Sequence, residues 1–236
     1  MAIDVDMKAL LDAGAHFGHK TSRWHPKMAP FIHSKRGDAH IINLEKTVEQ
    51  LEEALPVIEK TVAKGKKVLF VGTKKAVKDM VKEVAESVNM PYVTTRWMGG
   101  MLTNVNTISA QIRKLKDLEK KMDNGEFAKK FNKLELQRVQ EEIDSLNSFY
   151  GGIRDMSEQP ALVIVTDAIA DKNAINEAKV LGIPVVAIVD TNVNPTEIDY
   201  PVPANDDALA GVRLIVDYFA QAVKAGAAKQ TVKSDK

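Results

Sequence analysis

Short, unbroken apolar runs alternate along the chain with segments whose apolar residues recur every three or four positions. "KKVLFVGT" (66–73) is an apolar run closed by a glycine, and "KKAVKDMVKEVAESV" behind it places Val77, Val81, Val84 and Val88 at helical spacing. This predicts a strand followed by a helix. The rhythm returns in "PALVIVTD" (160–167), the helical "KNAINEAKVLG" and "IPVVAIVDTN" (183–192), with a helix ending near Gly182 and Pro184 opening a strand. Continuous rather than alternating runs belong to strands covered on both faces. The pattern therefore predicts an α/β fold, a parallel sheet flanked by helices on both sides. "HIINL" (40–44) and "YVTT" (92–95) are predicted as further strands. A last helix is predicted in "DDALAGVRLIVDYFAQAVKAG", ending at Gly226, with 227–236 as a flexible tail.

Between Val105 and Tyr150 the pattern changes. Val105, Ile108, Ile112, Leu115 and Met122 are followed, after "DNGE", by Leu136, Val139, Ile143, Leu146 and Tyr150. These spacings predict two long amphipathic helices paired as an antiparallel coiled-coil hairpin. The expected organisation is a discontinuous sheet domain, 1–104 and 151–226, interrupted by the hairpin 105–150. Such a hairpin serves either as a packing subdomain or as a device to reach a partner. Its stretch from Arg113 to Lys133 carries eight cations against four acids, which makes the tip a candidate contact.

Composition alters this picture in two places. The 236 residues suffice for a sizeable core, and the absence of cysteine removes disulfides, thiolate zinc sites and cysteine nucleophiles. The net charge of +1 hides an asymmetry: residues 1–154 hold 26 Lys/Arg against 20 Asp/Glu, and 155–236 hold 7 against 12. A basic front and an acidic back suit a protein that turns one side to a polyanion. The start, "MAIDVDMKALLDAG", has aspartates where a signal peptide needs cations, and no apolar run is long enough to span a bilayer. A cytoplasmic location is expected, with no membrane partner.

The basic front is densest from Lys20 to Arg36, which holds Lys20, Arg23, Lys27, Lys35 and Arg36, two histidines, Trp24 and Phe31, and no acid. Cations for phosphates, planar groups for bases and Pro26 and Pro30 against a regular helix describe an extended arm laid on a nucleic acid. The alternative is a solvated loop pinned by Trp24, and Trp24 is expected as an apolar anchor. Lys74, Lys75 and Lys78 broaden the basic surface. A nucleotide-binding α/β enzyme is the other reading of a parallel sheet, but "VGTKKAVK" lacks a P-loop's second glycine, and no GxGxxG, GxSxG or HExxH occurs. His16 and His19 in "HFGH" could share one helical face and ligate a metal with a carboxylate such as Asp190, or simply make ordinary hydrogen bonds.

The ordered set "AGAHFGHKTSRWHPKMAPFI", "HIINLEKT", "VLFVGTKKA", "RWMGGMLTN", "LGIPVVAIVDTN" and "NDDA", spanning Ala13 to Ala208, resembles the bacterial small-subunit ribosomal protein S-two family. The resemblance implies a flavodoxin-like or Rossmann-like sheet with a coiled-coil insertion and no enzymatic activity. It implies a place in the small ribosomal subunit, contacts with its RNA and with other small-subunit proteins, and help in anchoring the large OB-repeat protein S-one. With the basic residues above, Arg96, Arg113 and Lys114 complete the candidate RNA-binding set. No cofactor is required by the resemblance, which also brings "HFGH" near "VDTN" and "NDDA" and so makes His19, Asp190 and Asp206 a candidate zinc site. The chain departs from the family's usual pattern at Asn194 and at Pro203-Ala204.

Overall fold

The computed structural model describes residues 3–156 and 158–234. Five parallel strands, β4 (Val68–Val71), β5 (Tyr92–Val93), β6 (Leu162–Val165), β7 (Val185–Val189) and β8 (Tyr200–Pro203), form the central sheet in the order β5-β4-β6-β7-β8. Every residue of β4, β6 and β7 is buried, as their continuous apolar runs require. Their side chains divide by alternation. Val68, Phe70, Leu162, Ile164, Val186 and Ile188 point into one core, and Leu69, Val71, Val163, Val165, Val185, Ala187 and Val189 into the other.

The first core is covered by α1 (Met7–Asp12), α2 (Leu44–Ala63), α3 (Lys78–Ser87) and α7 (Leu209–Ser234), the second by α6 (Lys172–Val180) and by the loops around Trp97 and Ile153. Helix α2 is absent from the sequence-based expectation. Its inward residues Leu44, Thr47, Leu51, Ala54, Leu55, Ile58 and Val62 keep a spacing of three and four, and Asn43 caps it by accepting from the Glu45 N–H at 2.9 Å. Pro56 lies inside it and faces solvent. Helix α7 does not stop at Gly226: it continues to Ser234, where a flexible tail was expected, and residues 235–236 lie outside the described residues. Gly226 is a packing position. A Cβ there would sit 2.5 Å from the Glu59 carbonyl oxygen and 2.8 Å from Val62 Cβ, so the glycine allows α7 to press against α2.

The inserted segment contains α4 (Val105–Asp123) and α5 (Lys133–Tyr150), joined through a 3-10 turn at Phe127–Lys129 that is longer than the tight turn expected. Asn132 and Glu135 form a capping box at the start of α5. The seam residues were expected to face each other rather than the sheet. At the hairpin's root they do not, because Ile108 and Tyr150 belong to the second core, with Ile112, Leu146 and Phe149 packed against it. The root is further fixed by Glu177 of α6, which accepts from Trp97 Nε1 at 2.9 Å and from the backbone N–H groups of Gly100 (2.8 Å), Leu102 (3.0 Å) and Thr103 (3.2 Å). Burial alone would raise the Glu177 pKa, but these donors hold it below the ordinary value.

Residues ahead of α2 build a second sheet. Strands β1 (Phe17–Lys20), β2 (Ile32–Arg36) and β3 (Ala39–Ile42) are antiparallel in the order β1-β3-β2. "HIINL" is therefore not a strand of the parallel sheet, and Lys20 to Arg36 is not an extended arm. The two prolines of that stretch lie in the 3-10 turn Pro26–Phe31, with Pro26 at its first position, where a missing N–H costs nothing. The apolar anchor of the turn is Met28, fully buried in the second core, whereas Trp24 is 37% exposed and lies against His40.

Candidate nucleic-acid interface

The carboxyl ends of β4, β6, β7 and β8 release loops that bring Thr73, Lys74, Asp167, Asp171, Asp190, Thr191, Asp206 and Asp207 together. Strand order two-one-three-four-five is flavodoxin-like, and in such sheets ligands enter between the first and third strands, here β4 and β6. That crevice is bridged by protein groups. The Thr73 hydroxyl donates to Asp171 at 2.7 Å, its N–H to the same carboxylate at 3.2 Å, and Lys74 Nζ lies 3.4 Å from Asp167. Carboxylates at the mouth repel a phosphate, so this arrangement argues against a nucleotide site at that position.

Lys74 is the centre of the cluster. Its ammonium donates to Asp207 at 2.6 Å, to the Asp206 carboxylate at 2.9 Å and to the Asp206 carbonyl at 3.0 Å. Burial by itself would lower the Lys74 pKa; the hydrogen bonds to Asp207 and Asp206 and the charges of Asp206 and Asp167 raise it well above the ordinary value. The structure thus turns Lys74 inward, away from the basic surface of which the sequence made it part. Burial pushes Asp206 up to about 6, helped by the charges of Asp167 and Asp190 and opposed by Lys74, and burial pushes Asp171 up to about 6 against the Thr73 hydrogen bonds.

Both values lie above those of an unfolded chain, so these groups favour the folded state in their protonated form, and that stability is lost as pH rises through about 6. The melting temperature is expected to rise between pH 7 and pH 5. Asp171→Asn, which cannot titrate, is expected to show a smaller rise. Equal pH dependence in the two proteins contradicts the assignment.

Asp190 has a different task. Only 1% exposed, it accepts from the backbone N–H of His19 at 3.2 Å, from the N–H and hydroxyl of Thr191, and from the Asp206 N–H at 3.4 Å, and it lies 3.0 Å from His19 Nδ1. Strand β1 is docked to the parallel sheet by this carboxylate and by its neighbour Thr191, whose hydroxyl accepts from His19 N–H at 2.9 Å and whose carbonyl accepts from His25 N–H at 2.7 Å. Gly18 lets the two backbones meet, since a Cβ there would stand 2.6 Å from Thr191 Cγ2. The acidic loops are the mount on which the basic sheet sits.

His19 lies in strand β1 and His16 in the turn before it, so the two share no helical face and His16 does not join His19; the His16 Nδ1 is buried without a partner among the described residues. The groups that converge as metal ligands are His19, Asp206 and Asp207, with donor atoms within 4.8 Å of one another. Asp190 instead orients the imidazole from behind, a second partner typical of a ligating histidine. The nitrogen and oxygen donor set fits a zinc-like ion, but Lys74 Nζ already bonds Asp206 and Asp207, so an ion and the ammonium compete for the same carboxylates.

The cations read from the sequence fall into two groups. The side chains of Lys20, Arg23, Lys35 and Arg36 on the antiparallel sheet and its turn, together with those of Lys75, Lys78, Arg96 and Arg113, have no hydrogen-bonding or ion-pair partner among the described residues, and all but Lys78 are exposed. Lys27 bonds the Thr196 hydroxyl at 3.0 Å, and Lys114 pairs with Glu142 across the hairpin. Sequence reasoning missed Asp167, Asp171 and Thr191. Asp167 and Thr191 follow continuous apolar strands, the one available signal that they stand at the sheet's carboxyl edge.

The parallel α/β sheet, with carboxylates across its crevice and, among the described residues, unpaired cations on an appended antiparallel sheet, has a flavodoxin-like fold. A family model for ribosomal protein S2 matches residues 10–226. Small ribosomal subunit protein uS2 of Coprothermobacter proteolyticus is 46% identical over 94% of this chain and 82% of its own length. Its counterpart in Dehalococcoides mccartyi (strain CBDB1) is 48% identical over 92% and 89%, and that of Psychrobacter cryohalolentis 49% over 94% and 84%. The chain belongs to the ribosomal protein S2 family, and so is a ribosomal protein rather than an enzyme.

Proposed function

We propose that the protein is a structural constituent of the small ribosomal subunit that binds its RNA mainly through phosphates, using the antiparallel sheet as the contact surface. The observation that carries this reading is the set Lys20, Arg23, Lys35 and Arg36: four exposed cations on one small sheet and its turn, none of whose side chains is paired among the described residues, on a mount that uses the nearby carboxylates internally. Lys75, Lys78, Arg96 and Arg113 extend the surface. Lys27 and Lys114 contribute only by exchanging their present partners, and Lys74 belongs to the mount. The test is filter binding of small-subunit RNA to the full chain across a salt series: binding that weakens steeply with salt is expected, and a salt-independent affinity contradicts it.

The hairpin 105–150 is proposed as the part that reaches neighbouring ribosomal proteins, the large OB-repeat protein S-one among them. Its root is part of the core, while around the turn Phe131 and Leu134 are exposed. The location implied is the ribosome in the cytoplasm; among the described residues no helix is long and apolar enough to cross a membrane. A zinc-like ion would be held by His19, Asp206 and Asp207, with Lys74 displaced. Elemental analysis after dialysis is expected to find metal in the wild type and less in His19→Ala; a metal-free wild type ends this reading.

A further inference from the structure

Trp24 has no task in the interface described so far. Met28 is the apolar anchor of its segment, and Trp24 keeps 37% of its surface exposed. The other tryptophan, Trp97, is 7% exposed and donates its Nε1–H to Glu177 at 2.9 Å, whereas the Trp24 Nε1–H has no acceptor among the described residues. An indole pairs a large apolar body with a polar edge and is suited to a surface that a partner covers.

The ring is held in place. One side of it rests on the His40 imidazole, with the centroids 5.1 Å apart and the planes tilted by 46°. Its backbone is extended, with φ −70° and ψ 156°, and the chain is tied on both sides: the Thr21 N–H donates to the Asp38 carbonyl at 2.8 Å and the His25 N–H to the Thr191 carbonyl at 2.7 Å. A partner that covers the remaining surface therefore finds the ring already ordered, which lowers the entropic cost of binding. The surroundings are cationic. Arg23 precedes Trp24, and Lys35 stands opposite His40 in the register of β2 and β3, so Lys35 shares the face of the sheet on which the indole rests. Both cations are exposed, their side chains have no partner among the described residues, and no carboxylate occurs from Lys20 to Arg36.

An ordered aromatic ring among unpaired cations matches a polyanion that also carries flat groups. An acidic protein segment answers the cations, but answers the ring only where an aromatic residue falls in register. In a single strand of RNA every residue brings both a phosphate and a base. We propose that Trp24 stacks on one unstacked base of a single-stranded stretch of RNA, in a loop, a bulge or an end, with Arg23 and Lys35 on the flanking phosphates. Every base has a flat face, so the contact selects unpaired RNA and not a particular base. The proposal rests on the RNA-binding reading and adds the kind of RNA structure recognised.

The test titrates the full chain at low salt with single-stranded oligouridylate and with an RNA duplex of equal phosphate number, reading tryptophan emission and affinity together. Face contact with a base quenches an indole, and the buried Trp97 is the internal reference. In the wild type the single strand is expected to quench part of the emission and the duplex to leave it unchanged. Trp24→Ala is expected to bind the single strand about ten-fold more weakly, the scale of one base stacked on an aromatic side chain, with duplex binding unaltered. Trp24→Phe keeps a smaller ring and is expected to recover part of the loss. The wild-type quenching and Trp24→Phe decide the matter even where Trp24→Ala is less stable through the lost His40 contact. Single-strand binding without quenching, or with equal affinity in Trp24→Ala, overturns the proposal, leaves the phosphate contacts standing and assigns the indole to a protein partner. Quenching by the duplex as strong as by the single strand also overturns it. Binding of neither RNA overturns both readings.

Discussion

Asp190→Ala is expected to cost about 3–5 kcal/mol of folding stability, the scale of breaking a buried, hydrogen-bonded charge by removing one partner. Asp190 is almost wholly buried and takes hydrogen bonds from His19 N–H, Thr191 N–H, the Thr191 hydroxyl and Asp206 N–H. Without it these donors lose their acceptor inside the protein, and β1 loses one of its main attachments to the parallel sheet. Urea unfolding measures the loss. Asp190→Asn retains an acceptor oxygen and is expected to recover part of the stability. Because Lys74, Asp206 and Asp207 lie next to Asp190, substitutions there should not add independently to it. A loss below about 0.5 kcal/mol in Asp190→Ala, the ordinary scale of a surface change, means the basic sheet is held by other contacts.

The parallel sheet was legible because burial on two faces leaves a direct mark: β4, β6 and β7 are continuous apolar runs, and α3 and α6 follow β4 and β6 at helical spacing. The antiparallel sheet left no such mark. Most residues of β1 and β2 are half-buried or exposed, so their polarity reads as loop, and Pro26 and Pro30 strengthen that impression although they occupy a compact turn. Helix α2 was hidden behind the strand-like "HIINL" and broken in pattern by Pro56, and Gly226 imitated a helix stop while serving as a close contact with α2.

The cluster was the least legible part. Lys74 is 132 residues from Asp206, and no local pattern tells a lysine bound for carboxylates from one left to solvent. The histidine pair misled for a related reason: in a strand, His19 faces Asp190 while His16 belongs to the preceding turn. What the sequence could supply was the list of cations, and the structure sorts that list by partner. Among the described residues eight have no side-chain partner, Lys27 and Lys114 are engaged at the surface, and Lys74 is engaged within the cluster.

The second large effect is expected in RNA affinity. Changing Lys20, Arg23, Lys35 and Arg36 together to Gln removes four exposed cations that bond no group of the described residues, so folding stability is expected to stay within about 0.5 kcal/mol per site. Each phosphate contact contributes roughly 0.7 to 0.9 to the slope of log affinity against log salt, so losing four lowers it by about 3. At low salt, where released counterions matter most, the affinity is expected to fall by about two orders of magnitude or more. The decisive measurement is that slope, determined for small-subunit RNA binding to the wild type and to the quadruple variant, with melting curves recorded on the same samples. A slope lower by about 3 at an unchanged melting temperature is the result predicted; an unchanged slope places the four cations in solvent and contradicts the basic sheet as the RNA-binding surface.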